Sequence, residues 1–227
     1  MALKDTRLVI FDMDGLLLDT ERIIVDHWDR LAVREGLDRD RIRRLCLESI
    51  GINLPAVRKL AAELLGPDFP FDAYRAEMWK SIAEDLDGRA MPVKKGAFEL
   101  LEYLKRTGMP AVVASSSPKA TVVRELDEAG LLPYFDEVFG GEDAPRSKPA
   151  PDLFLNAARA MGADPAHCLV LEDSHNGIRA AHAAGMMSVM VPDLQPANEE
   201  MRGLYTAQAE DLGEVAEMLL QAFLEEL

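Results

Sequence analysis

Short apolar runs recur along the chain at residues 7–11, 110–115, 137–139, 167–171 and 188–191, each stopped by turn-forming or polar residues. Most are continuous rather than alternating. A strand with one wet face alternates apolar and polar residues, whereas a strand covered on both faces does not. The runs therefore predict strands buried between helices. Elsewhere the period changes. In "KKGAFELLEYLKRTG" the apolar Ala97, Leu100, Leu101 and Leu104 fall at i, i+3, i+4 and i+7, and Gly108 is placed to end the helix. "PDLFLNAARAMG" and "NGIRAAHAAGM" read in the same way. Strands alternating with helices predict an α/β fold, a doubly wound, Rossmann-like parallel sheet with right-handed crossovers.

One interval breaks the rhythm. From about residue 20 to about residue 90 only helical patterning is present, far more chain than a crossover needs. The expectation is an inserted all-helical domain at 20–90 on a core made of 1–19 and 91–227. "LLLDT" and "GRAMPVKKG" would be its two hinges.

Composition narrows the functional classes. Apolar residues make up 48% of the 227, so a substantial core can form. A net charge of −15 argues against a duplex nucleic-acid binder or a protein docking on anionic lipid. No apolar run is long enough to span a membrane, and "MALKDTRLVIF" is too short and too charged for a signal peptide. The two cysteines, Cys46 and Cys168, form neither a disulfide framework nor a zinc spacing. A cytoplasmic protein is expected. Oligomeric state leaves no mark in the sequence.

In open parallel sheets ligands bind beyond the carboxyl ends of the strands. The first strand runs into Asp12 and Asp14 with Gly15 after them. The second ends in Ser115, Ser116 and Ser117, and the fourth in Glu172 and Asp173. "RSKPAPD" supplies Lys148 between two prolines. Acids, hydroxyls and one cation are thus expected to converge on one edge. An anionic phosphate approaching these carboxylates meets repulsion of about 4 kcal/mol per charge pair near 4 Å. A divalent cation would cancel it, and oxygen ligands from Asp12 and Asp173 suit Mg²⁺. Asp12 would then attack phosphorus, and Asp14 would serve as acid and base. Lys148, a serine hydroxyl and backbone N–H groups of the Gly15 turn would hold the phosphate oxygens.

"FDMDGLLLDTE", "VVASSSP", "SKPAPD" and "CLVLEDSHNGIRAAHAAGM", in this order, resemble the haloacid dehalogenase-like superfamily, in its phosphatase and phosphoglucomutase-like branch with a helical cap. The resemblance implies that Asp12 is nucleophile and Mg²⁺ ligand, and that Asp14 is acid/base and lends its carbonyl to the metal. It implies that Ser115 binds phosphate, Lys148 stabilises charge, Asp173 completes the metal site, and Glu172 lies near the metal. Met13, through the same turn, and Ser116 join the expected phosphate contacts. Asn176 would stand behind the metal loop. The insertion would be the family's cap. The substrate implied is a small phosphorylated metabolite such as a sugar phosphate.

A calcium loop would want glycine at its sixth place and glutamate at its twelfth, where Leu17 and Ile23 stand. Asp19 and Thr20 are expected to cap the first inserted helix. Trp28 and Trp79 are read as interior of the insertion, Glu142 and Asp143 as an exposed turn, and His175 as a solvated loop residue. The four histidines show no metal-binding spacing. A dehalogenase of the resembling family lacks the second aspartate. Its sugar mutases carry a histidine and an arginine where an ungapped carry-over puts Ile24 and Leu54. Hydrolysis is therefore preferred, with a β-phosphoglucomutase-type reaction as the alternative. Glu21, Arg22, Asn53 and Lys80 are candidates to face the leaving group. A receiver-like signalling domain would place its phosphoacceptor on a later strand, and a non-catalytic binding protein would not need every catalytic position filled.

Overall fold

The computed structural model describes residues 2–224. Six parallel strands form one sheet: β1 (Leu8–Phe11), β2 (Ala111–Ala114), β3 (Glu137–Phe139), β4 (Cys168–Glu172), β5 (Met187–Met190) and β6 (Ala207–Gln208). Their order is β3-β2-β1-β4-β5-β6. The chain thus winds outward in both directions from β1, and β1 and β4 lie side by side at the switch point where such sheets bind ligands. Every apolar run named above is a strand, with ends shifted by at most a residue or two. The two-residue β6 went unpredicted because "TAQA" carries no apolar run.

The strands lack alternation because both faces are covered. Val9 and Phe11 point into one core with Val113, Leu169, Leu171 and Val189. Leu8 and Ile10 point into the other with Val112, Ala114 and Val170. The helices α1 (Thr20–Glu35), α2 (Arg39–Ser49), α3 (Leu54–Leu65) and α4 (Phe71–Leu86) come first in the chain. The helices α5 (Ala97–Thr107), α6 (Lys119–Glu128), α7 (Asp152–Ala160), α8 (His175–Ala183), α9 (Glu199–Arg202) and α10 (Leu212–Leu224) flank the sheet. The stripe Ala97, Leu100, Leu101 and Leu104 is fully buried, and Gly108 ends α5 in the left-handed conformation. Leu212, Val215 and Leu219 of α10 share that first core. Leu153, Phe154 and Ala157 of α7 and Ala180 and Ala181 of α8 fill the second.

The insertion contains only helices, α1 to α4, packed on one another. Its two connections pair. The Asp19 N–H donates to the Pro92 carbonyl at 2.8 Å, and the Lys94 N–H to the Leu17 carbonyl at 2.9 Å. The entry and exit strands of the insertion therefore brace each other directly above the end of β1.

Phe154 is wholly buried under β1 and β2, with the Lys148 ammonium 4.7 Å from its ring centre. Phe154→Ala removes that packing and should cost about 3–5 kcal/mol of folding free energy, read by denaturant titration; a loss under about 1 kcal/mol would contradict this placement.

Candidate active site

The carboxyl ends of β1 and β4 bring three acids together. Asp12 follows β1, and its N–H donates to the Leu171 carbonyl at 3.0 Å, which locks it beside β4. Glu172 ends β4 and Asp173 follows it. One ligand oxygen from each of these three buried residues falls within 4.8 Å of the others. Lys148 reaches them from the loop before α7, where the Lys148–Pro149 peptide is cis. Its ammonium, completely buried, donates to Asp12 Oδ1 at 2.6 Å and to Glu172 Oε1 at 2.7 Å.

Burial and charge set the protonation balance. Burial pushes the Asp12 carboxyl up to about 7; Lys148 pulls against this, while Glu172 and Asp14 add to it. Burial also pushes Asp173 well above the carboxylate range, reinforced by Glu172 and Asp12. Burial presses the Lys148 ammonium down, yet its two carboxylate partners outweigh that and hold it charged, above its ordinary value. Among the described residues Asp173 Oδ1 is buried without a hydrogen-bond partner. An orphaned anionic oxygen facing two further carboxylates is the chemistry of a hard-cation site.

Small residues make room for this. A Cβ on Gly15, which has φ +80°, would lie 2.4 Å from Asp173 Oδ2, and one on Gly177 would lie 1.7 Å from Glu172 Oε1. Ser174 caps α8 by accepting from the Gly177 N–H at 2.9 Å, and its own hydroxyl donates to Glu172 Oε2 at 2.8 Å. Glu172 is thus fixed by Lys148 on one oxygen and Ser174 on the other.

Asp14 has a different environment. Its carboxylate accepts from Thr20 at 2.8 Å, Ser117 at 2.8 Å and Ser115 at 3.3 Å. The expected helix cap is therefore corrected. Asp19 precedes α1 but makes no side-chain cap, and Thr20 turns to Asp14, the nearer charged acceptor. Among the described residues no carbonyl takes the N–H of Met13 or Asp14. The Met13 side chain is itself fully buried. Ser116 reaches away from the carboxylates, and its hydroxyl donates to the Gly51 carbonyl at 2.8 Å. With Asn176 on the Ile50 carbonyl at 3.0 Å and Ser147 under the Asn53 N–H at 2.8 Å, it fastens the α2–α3 loop over the strand ends.

A cavity of about 310 Å³ opens above Asp12 and Asp14 and extends among α1 to α4 and α6. Glu21, Ile24 and Leu54 line it; Lys80, by contrast, is exposed and lies 3.9 Å from Glu84. Arg22 pairs with Asp193 at 2.7 Å, and Asn53 caps α3, so neither is free to face a leaving group. Trp28 and Trp79 belong to the interior, as expected, but both also line this cavity. His175 is half-buried at the start of α8 and bonds to the Pro196 carbonyl, rather than lying in a solvated loop. Sequence reasoning missed Glu125. It is 3% exposed on α6 and lines the cavity, and only its helical period could have drawn notice to it.

The sequence matches the family of haloacid dehalogenase-like hydrolases over residues 6–185. Hexitol phosphatase B of Escherichia coli (strain K12) is 34% identical over 193 residues, spanning 84% of this chain and 85% of that protein. A bifunctional riboflavin kinase/FMN phosphatase of Arabidopsis thaliana is 28% identical over 220 residues; these span 96% of this chain and 56% of that longer protein. In fold the chain is similar to the β-phosphoglucomutase of Clostridium difficile, with a TM-score of 0.78 at 22% identity, covering 97% of this chain and 98% of that one.

Burial raises the Glu125 carboxyl from its ordinary 4.5 to about 7; Asp14 and Glu128 add to this and Arg124 opposes it. The folded chain then holds a proton that the unfolded chain releases. Glu125 favours folding below pH 4.5, and that contribution is lost as pH rises through about 7. Glu125→Gln should gain about 2–3 kcal/mol relative to wild type between pH 5 and pH 8, read by urea unfolding; parallel pH profiles would contradict the burial of its charge.

Proposed function

The chain belongs to the haloacid dehalogenase-like hydrolases, and we propose that it is a Mg²⁺-dependent phosphatase acting on a small phosphorylated metabolite such as a sugar phosphate, through an aspartyl phosphate on Asp12. The observation that carries this reading is the buried cluster of Asp12, Glu172 and Asp173 joined by Lys148 at the foot of the cavity. Residues 20–90 act as the cap, and 1–19 with 91–227 as the catalytic core.

Asp12, Asp173 and the Asp14 carbonyl would hold the cation, with Glu172 close by; the orphaned Asp173 oxygen and the side-chain-free space at Gly15 support that fit. When bound, a divalent cation supplies charge neutralisation that lets a phosphate dianion approach carboxylates. Lys148 draws Asp12 toward its ionised form and orients it. The free N–H groups of Met13 and Asp14, with the Ser115 hydroxyl and the backbone N–H of Ser116, whose own hydroxyl is held by Gly51, receive phosphate oxygens. An Asp12 oxygen forms a bond to phosphorus while the bond to the leaving oxygen breaks, and Asp14 gives that oxygen its proton. Asp14 then takes a proton from water as the water oxygen bonds to phosphorus and the Asp12–phosphate bond breaks. Thr20, Ser115 and Ser117 aim the Asp14 carboxylate for both transfers.

Hydrolysis is favoured over sugar phosphomutation by the two positions where the resembling mutases carry polar groups. Ile24 and Leu54 line the cavity here, so neither can hold a sugar phosphate by charge.

A panel of phosphomonoesters assayed with Mg²⁺ and with chelator tests the reading. Phosphate release should require the metal. Asp12→Asn should lower kcat by about 10³-fold or more, and Asp14→Asn by about 10²–10⁴-fold. Metal-independent release, or full activity in Asp12→Asn, would overturn the proposal. Isomerised sugar phosphate in place of free phosphate would turn it toward the mutase.

A further inference from the structure

We infer that the upper cavity selects a leaving group built around one flat heteroaromatic ring, of pyrimidine-nucleoside size, over a polyol or open-chain sugar; this rests on the phosphatase reading above. The wall away from the carboxylates is aromatic. Trp28 stacks on Phe71 with ring centres 5.9 Å apart at 14°, and Trp79, from the next turns of α4, carries the Arg75 guanidinium 5.7 Å from its ring centre. All four residues line the cavity.

A polyol would bury several hydroxyls here, and each one left without a partner costs about 1–3 kcal/mol. The inserted helices offer few partners. The Ser49 hydroxyl is already spent on the Cys46 carbonyl at 2.9 Å, and Glu21 lies down at the Gly15 turn. A flat ring asks for little of this. It gains about 1–3 kcal/mol by stacking on an aromatic side chain.

The polar groups that remain suit the edge of a heterocycle. Arg75 is half-buried, and among the described residues no carboxylate pairs with it, because the neighbouring Asp72 is taken by Arg58 at 2.9 Å. Across the cavity, α6 presents the buried Glu125 carboxyl with the Arg124 guanidinium on it at 3.1 Å. A guanidinium on one side, and on the other a carboxyl beside a second guanidinium, match a ring bearing carbonyl and N–H groups in one plane. The volume of about 310 Å³ sits at the low end of ligand sites, which run from about 300 to 1,000 Å³, so one ring fits better than three fused rings.

The experiment compares kcat/KM for uridine 5′-monophosphate, pyridoxine 5′-phosphate, sorbitol 6-phosphate and glycerol 3-phosphate, with acetyl phosphate as a ringless reference. The two ring esters distinguish a nucleoside from a vitamin-type ring. At least one should exceed both polyol esters by about tenfold. Trp79→Ala should lower that ratio about tenfold, and Trp79→Phe should restore most of it. A second readout needs no variant. Trp28 and Trp79 are the only tryptophans in the chain. The favoured ring ester, added with Mg²⁺ and read before turnover, should therefore quench the intrinsic emission at concentrations where sorbitol 6-phosphate does not. Polyol esters turned over as efficiently as ring esters, a ratio indifferent to Trp79→Ala, or emission unmoved by the favoured ring ester would each overturn the inference while leaving the phosphatase intact. No turnover of any ester, acetyl phosphate included, would remove the phosphatase reading and this inference together.

Discussion

A buried ammonium between two buried carboxylates is the interaction on which the rest depends. Lys148 is wholly enclosed, and it lies within 2.7 Å of both Asp12 and Glu172. Three carboxylates whose oxygens lie within 4.8 Å of one another repel by about 3–4 kcal/mol or more per ionised pair at an effective dielectric of 20. One ammonium cannot balance three anions. That deficit, together with burial, drives the Asp12 and Asp173 carboxyls upward. A divalent cation would meet it and pull them back down. The same cluster thus explains both the upward shift of these carboxyls and their capacity for a metal.

The scaffold supplies what the cluster needs. Parallel pairing of β1 with β4 brings Asp12 beside Glu172 with no freedom of register. Gly15 and Gly177 withhold side chains where any would meet a carboxylate, and the cap of α8 holds the free oxygen of Glu172. Above them the α2–α3 loop is tied down through Ser116, Asn176 and Ser147. These ties lie between the insertion and the sheet, and the paired connections at 17–19 and 92–94 lie beneath it. The clustered acids and Lys148 are buried beneath these ties, where a low dielectric strengthens their interactions.

Much of this was legible in the sequence because the signals are local. Continuous apolar runs mark strands covered on both faces, and β1, β2 and β4 each lead into polar residues at the strand's carboxyl end. The convergence of Asp12, Asp14, Ser115, Glu172 and Asp173 follows from that rule, and Lys148 joins them from the loop before α7. What was not legible depends on contacts distant in the chain. Thr20 has the form of a helix cap, but Asp14 stands within 2.8 Å of its hydroxyl. Ser116 belongs to a serine run ending a strand, but Gly51, 65 residues away, claims its hydroxyl. Glu125 looks like any acid on an amphipathic helix until α1 and α4 close a cavity over it. The strand β6 is too short to carry a pattern and exists because β5 offers an edge to pair with.

The central claim is that Asp12 makes the bond to phosphorus, held ready by Lys148. Its most direct measurement is a crystal structure grown with Mg²⁺ and beryllium fluoride, a mimic of a phosphoryl group on a carboxylate. The account predicts trigonal BeF₃⁻ joined to a carboxylate oxygen of Asp12, with the metal between that adduct and Asp173. An adduct on Asp14 or any other side chain, or a fluoride complex held in the cavity with no bond to Asp12, would contradict it.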